Sequence, residues 1–193
     1  MYGLILRALQ GYVLTTFGQA AWQRILSRGR FPSSGFEPLL PYDSLVLDQV
    51  LALSSAELDR PVPAILEDLG TSIIAGPHCA APRRLLRFGG AGFTDFLLSL
   101  EELPDRARLA LPELDLPDLR LDEVGPGLYR LTARGAPMEL GPLMTGVLTA
   151  MADDYGALVL IEPWLCAQGP ALTIRLLEAR FAEARRFELS RAG

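Results

Sequence analysis

The chain has 193 residues, half of them hydrophobic and 21% charged, with a formal net charge of −5, which is the make-up of one ordinary globular domain with a real core. The acidic balance argues against a nucleic-acid surface, which needs a clustered basic face; Arg83, Arg84 and Arg87, and Arg185 with Arg186, read as solvated helix faces. Two cysteines, Cys79 and Cys166, are too few for a disulfide framework and too far apart for a zinc or iron–sulfur site. With no basic-then-apolar leader and no apolar run of roughly 20 residues, the expectation is a soluble, cytoplasmic protein with no membrane or nucleic-acid partner.

Leu4, Ile5, Leu9, Val13 and Phe17 recur at helical spacing over residues 2 to 17. Gly18 then breaks the run, and a second short helix carries Trp22, Ile25 and Leu26. Residues 29 to 42, rich in Gly, Pro and Ser, read as a loop. A helix follows from Asp43, whose carboxylate can cap it, to Leu53. Another runs from Pro61 to Ala75, proline being tolerated in a first turn. Gly76 to Pro82 holds two prolines and should interrupt helix. Phe93, Phe96, Leu97, Leu100 and Leu103 then share one helical face, and the helix either kinks at Pro104 or stops one residue earlier. After Pro117 the period becomes two: Leu119, Leu121 and Leu128 to Arg134 predict a hairpin turning through Gly125-Pro126-Gly127. Residues 138 to 154 return to helix, and 157 to 165 and 171 to 177 read as two more strands. The tail from Glu178 suits a helix by composition and a strand by position.

This order is α+β, in a single domain spanning 1–193. A helical N-terminal subdomain (about 1–60) precedes a part (about 61–193) built on a helix and a four-stranded antiparallel sheet. Enzyme chemistry finds little support. His78 is the one histidine, in a proline-bounded turn, and acid–base or nucleophilic catalysis needs convergent polar groups. The members of the pairs Glu101-Glu102 and Asp153-Asp154 are sequence neighbours, so on a helix they point about 100° apart and read as surface charges. Gly89, Gly90 and Gly92 lack the flanking strand of a phosphate loop.

Several stretches match a known pattern. They are Met1 to Ile5, Ala8 to Gln10, Val13, Phe17-Gly18, Trp22 and Ile25, then Tyr42-Asp43, Ile65-Leu66, Gly70 and Leu85-Leu86-Arg87. The segment Phe96 to Pro104, followed by Pro112 and Pro117, continues the match. Together they resemble the haem NO/oxygen-binding sensor family (H-NOX, or HNOB) over nearly the whole chain, most weakly after Gly156. The resemblance implies the H-NOX fold and a non-enzymatic sensor. The family's stretch F-L-x-N-L-D-x-L-H ends in the histidine that ligates the haem iron. Between Gly70 and Pro117 the correspondence needs no gap and places Pro104 at that histidine, and proline has no donor atom.

The family's propionate-binding Y-x-S-x-R corresponds to Arg130, Thr132 and Arg134. Alternate strand residues share a face, so two guanidiniums would flank a hydroxyl, a pattern suited to a carboxylate. By the same resemblance Ile5, Leu9, Ile73 and Ile74 would form the distal wall, and Leu140, Leu143, Met144 and Val147 would join it from the following helix. Pro117 would press on the haem face. By its own pattern each of these apolar residues reads more often as plain core than as a ligand contact, and Pro117 also reads as a turn residue.

The expectation is a bacterial-type, stand-alone sensing module that signals in trans to a histidine kinase or a cyclic-nucleotide enzyme. Its ligand is haem by resemblance. With Pro104 removing the axial bond, an apolar carboxylate such as a fatty acid is the alternative. His78 or Cys79 as a substitute iron ligand stays open, and Cys166 reads as buried and inert. The competing reading is a ligand-free protein-interaction module with a filled pocket; a cavity would favour the sensor.

Overall fold

Three helices open the computed structural model, which describes residues 2–76, 80–87, 89–110, 116–164 and 166–179. α1 (Tyr2–Gly29) is one helix bent at Gly18, where φ 85° and ψ 169° fall in a region that only glycine adopts freely. The expected break between two helices is therefore a kink within one. α2 (Ser44–Leu58) starts as expected, with the Asp43 carboxylate accepting from Leu45 N–H at 2.9 Å. It runs five residues past Leu53 and closes on Asp59 in the left-handed region. α3 (Val62–Ala75) follows Pro61. The three helices enclose a first core around Leu6, Leu9, Val13, Trp22, Ile25, Val50, Ile65 and Leu69.

α3 ends at Gly76, yet α4 (Ala80–Arg87) already contains Pro82; in a first turn the missing N–H has no intrahelical partner to lose. α5 (Phe93–Leu98), a 3-10 turn (Leu100–Glu102) and α6 (Leu103–Ala110) come next. Here the expectation for Pro104 is corrected: it neither ends nor kinks a helix but is the second residue of α6, buried in its first turn. The break comes earlier, at Ser99, whose N–H is shared between the carbonyls of Asp95 and Phe96 as the helix tightens.

β1 (Asp118–Gly125), β2 (Leu128–Arg134), β3 (Leu158–Trp164) and β4 (Ala171–Glu178) form one antiparallel sheet in the order β1-β2-β4-β3. The hairpin turns at Pro126-Gly127 as expected, with Gly127 at φ 66°. α7 (Leu140–Tyr155), ended by Gly156 at φ 70°, and α5 cover one face of the sheet, giving a second core of Phe93, Phe96, Leu97, Tyr129, Leu131, Met151, Leu172 and Ile174. The tail from Arg180 lies outside the described residues, so neither reading of it is tested.

α3 and α7 join the two cores. A Cβ at Gly70 would strike the Leu143 carbonyl oxygen and lie 2.9 Å from Val147 N. One at Gly146 would strike the Glu67 carbonyl oxygen and lie 2.8 Å from Thr71 N. The helix backbones meet directly at this crossing, where Thr71 Oγ1 also donates to the Gly146 carbonyl at 3.3 Å.

Candidate functional site

Tyr129, Leu131 and Ala133 point from β2 toward the buried side, so alternation turns Arg130, Thr132 and Arg134 to the other face. Along β1 their partners are Asp122, Arg120 and Asp118. At the Arg134 end this face opens on a cleft of about 530 Å³, within the range of small-molecule sites. The helical subdomain supplies one wall, Ile5 of α1, Leu47 and Leu51 of α2, and Leu66 of α3. Leu116, Pro117 and, from α7, Leu140 and Leu143 supply the other. Its polar groups are Asp118, Arg134 and Glu139. Arg134 is exposed and has no hydrogen-bond or ion-pair partner among the described residues.

Of the residues singled out from sequence, Ile5, Pro117, Arg134, Leu140 and Leu143 line this cleft. The others are placed elsewhere. Leu9 is fully buried in the first core, and Ile73 sits between the two cores. Ile74 is buried in the second core, with Met144 and Val147 packed against it. Thr132 is buried behind Arg134 on the strand, and Pro104 is buried in α6. Arg130 turns to β3, its guanidinium 4.4 Å above the Trp164 ring and its buried Nε without a hydrogen-bond partner among the described residues. Leu47, Leu51 and Leu66 were not anticipated as lining residues; their helical spacing is that of any core stripe.

Two surface readings are corrected. Asp154 is buried rather than a helix-surface charge; only Asp153 is exposed. Arg83 and Arg87, expected to be solvated, clamp it: Arg83 Nη2 bonds Oδ1, Arg87 Nε bonds Oδ2 at 2.6 Å, and Arg87 Nη2 reaches the Asp154 carbonyl at 3.0 Å. The Arg87 guanidinium also lies 4.3 Å from the Tyr155 ring centre, and Tyr155 OH donates to the Gly90 carbonyl at 3.2 Å. Burial raises the Tyr155 pKa, which keeps that donor protonated. The cluster ties α4 and the Gly89–Gly92 turn to α7, and none of its residues lines the cleft at Arg134.

On the helical side Tyr12 OH donates to Asp68 Oδ2 at 2.9 Å, and Arg60 Nη1 reaches the same oxygen at 2.6 Å. Burial first, and the Asp68 carboxylate second, push the Tyr12 pKa up to about 12.

Cys166 is half-buried, not enclosed as expected. His78 and Cys79 lie outside the described residues. Among those described, no three His, Cys, Asp or Glu side chains cluster to hold a metal, and no helix is long and apolar enough to cross a membrane. None of the described lining residues is a histidine, cysteine, methionine or tyrosine. The apolar walls and Arg134 thus fit a flat or elongated carboxylate, while the donor set does not fit an iron-centred group.

A family model described as Haem-NO-binding (HNOB) matches residues 2–162. Soluble guanylate cyclase 89Db of Drosophila melanogaster is 18% identical over 155 residues, covering 80% of this chain and 23% of that protein. An H-NOX protein from S. oneidensis in its Fe(II)NO ligation state superposes with a TM-score of 0.75 at 17% identity, over 91% of this chain and 99% of that one. The Fe(II) unliganded H-NOX protein from K. algicida gives a TM-score of 0.75 at 15% identity, over 96% and 99% of the two chains.

Proposed function

Because the chain belongs to the haem-NO-binding (H-NOX) family of gas-sensor domains, we propose that it is a non-enzymatic ligand-sensing module whose cleft takes an apolar carboxylate such as a fatty acid. The carrying observation is Arg134, a guanidinium without a partner among the described residues, at the polar edge of an apolar cleft. The hydrocarbon would lie between Ile5, Leu47, Leu51 and Leu143, and the carboxylate would take paired hydrogen bonds from Arg134. Family members typically bind haem. Pro104, in place of the family's iron-ligating histidine, removes the bond through which such a sensor reports a gas. The output would pass in trans to a cyclase or kinase signalling domain, as in the family.

The cleft volume favours this reading over a filled, ligand-free interaction module. The first measurement is an absorbance spectrum of protein expressed with haem precursor, expected to lack a stoichiometric Soret band. Titration with palmitic acid against hexadecanol comes next. The acid should bind more tightly, and Arg134→Gln should cost it about ten- to a hundred-fold, the worth of a charge-assisted hydrogen bond. Equal binding of acid and alcohol would remove Arg134 from the reading. Stoichiometric haem in the native protein would overturn it. Pro104→His should raise haem affinity if the pocket admits the ring.

A further inference from the structure

Beyond Thr132 the open face of the sheet runs away from the cleft onto β4 and β3. Val159, Ile161, Leu172 and Ile174 belong to the second core, so alternation turns Leu160, Glu162, Trp164, Thr173 and Arg175 outward. Leu160 and Trp164 are 45% and 39% exposed, and Leu177 beside the β3–β4 bulge is 57% exposed. Large apolar side chains strung along the β3–β4 half of this face mark a docking surface rather than scattered surface residues. Trp164 is already held in place by Arg130, so little side-chain entropy remains to be lost on contact.

The strand edge is poorly suited to receive a partner. Leu176 N–H donates to the Gly127 carbonyl at 2.8 Å, which points the even-numbered backbone groups of β4 toward β2 and the odd-numbered ones toward β3. The β3–β4 register then leaves Val159, Ile161 and Pro163 on the free edge. Pro163 has no N–H to offer there, which blunts pairing with an added strand. The face is the surface left for docking.

Its charges indicate the partner. Glu162 and Arg175 are exposed, and neither has a hydrogen-bond or ion-pair partner among the described residues. Glu162 lies opposite Thr173, and Arg175 lies opposite Leu160, one strand across and one outward-facing position along. A two-fold axis lying in this face and passing between them exchanges the two charges. Each Glu162 then meets Arg175 of the second copy, and Leu160 packs beside its own copy. Such self-complementarity is what an isologous interface requires.

We propose that the β3–β4 half of this face, with Leu160, Glu162, Trp164, Arg175 and Leu177, packs face to face against the same surface of a second copy of this chain. The dimer does not depend on what the cleft binds. Light scattering on the full chain from about 1 µM to about 100 µM, a range in which standard-size interfaces assemble, should show a dimer. Glu162→Arg alone and Arg175→Glu alone should each be monomeric with an unchanged circular dichroism spectrum. Mixed in equal amounts, these two variants should recover a heterodimer, because each then offers the charge the other lacks. Leu160→Glu, which alters no charge pair, should also give a folded monomer. A native protein that stays monomeric overturns the proposal, as does a mixture that fails to pair. A monomer that instead floats with vesicles of anionic phospholipid overturns it in favour of a membrane surface.

Discussion

Replacing Gly146 by alanine tests whether the α3–α7 crossing is as tight as the backbone geometry makes it. The added methyl would strike the Glu67 carbonyl oxygen and lie 2.8 Å from Thr71 N, where ordinary contact begins at 3.4 Å. Both obstacles are helix backbone and cannot rotate away. The helices must part, which strains the Thr71 Oγ1 bond to Gly146 and loosens Leu66 and Leu143 on either side. Overpacking of this kind costs roughly 1–3 kcal/mol, and the hydrogen bond adds about 1 kcal/mol. For a chain of this size that is a fall in Tm of about 5–15 °C. Gly11→Ala is the matched control: no described residue lies within 4 Å of its Cβ position, so alanine there should stabilise the exposed helix by about 0.5–1 kcal/mol. Thermal unfolding followed by circular dichroism reads both. A Gly146→Ala protein that melts at or above the native temperature would refute direct backbone contact at the crossing.

Asp154→Asn should destabilise by about 2–4 kcal/mol, since it leaves Arg83 and Arg87 facing a neutral group in a largely buried site; denaturant titration measures it. Tyr12 binds its proton more tightly folded than unfolded, so it contributes stability below its ordinary pKa of 10.0, lost as pH climbs through about 12. Tyr12→Phe should therefore flatten the alkaline fall in stability over that window, seen by unfolding at fixed pH steps. Leu143→Phe fills part of the cleft from α7, and should weaken palmitic acid binding at least about tenfold while moving stability by no more than about 1.5 kcal/mol. An unchanged affinity would place the ligand elsewhere.

Much of the fold was legible because local chemistry decides it. Asp43 can cap only a helix that begins after it, Pro126-Gly127 dictates a tight hairpin, and Gly156 supplies the positive φ that ends α7. The period-two runs around Leu119 and Leu131 have no helical alternative. The expectations that moved were those resting on a single breaker residue. Gly18, Pro82 and Pro104 all lie within helices, because a glycine can bend a helix that packing holds on both sides, and a proline in a first turn gives up no intrahelical bond.

The site divides in the same way. Arg134, Pro117, Ile5 and Leu143 were found by resemblance, and the type of each residue already states what it can offer a ligand: a guanidinium, a rigid ring, a hydrocarbon. Which core leucines also border the cleft was not legible, because Leu51 and Leu9 have the same local signature and share one core, yet only Leu51 reaches the cleft wall. The same holds for Asp153 and Asp154, adjacent in sequence, where one turn of α7 exposes the first and buries the second between arginines of α4. It holds for Arg130, whose commitment to Trp164 depends on a strand pairing more than 30 residues away. The sequence by itself determined the elements, the family and the chemistry on offer, since these follow from short-range sterics, hydrogen bonding and residue type. Only the tertiary structure decided which groups remain unpartnered, because satisfaction and burial are properties of contacts between distant segments.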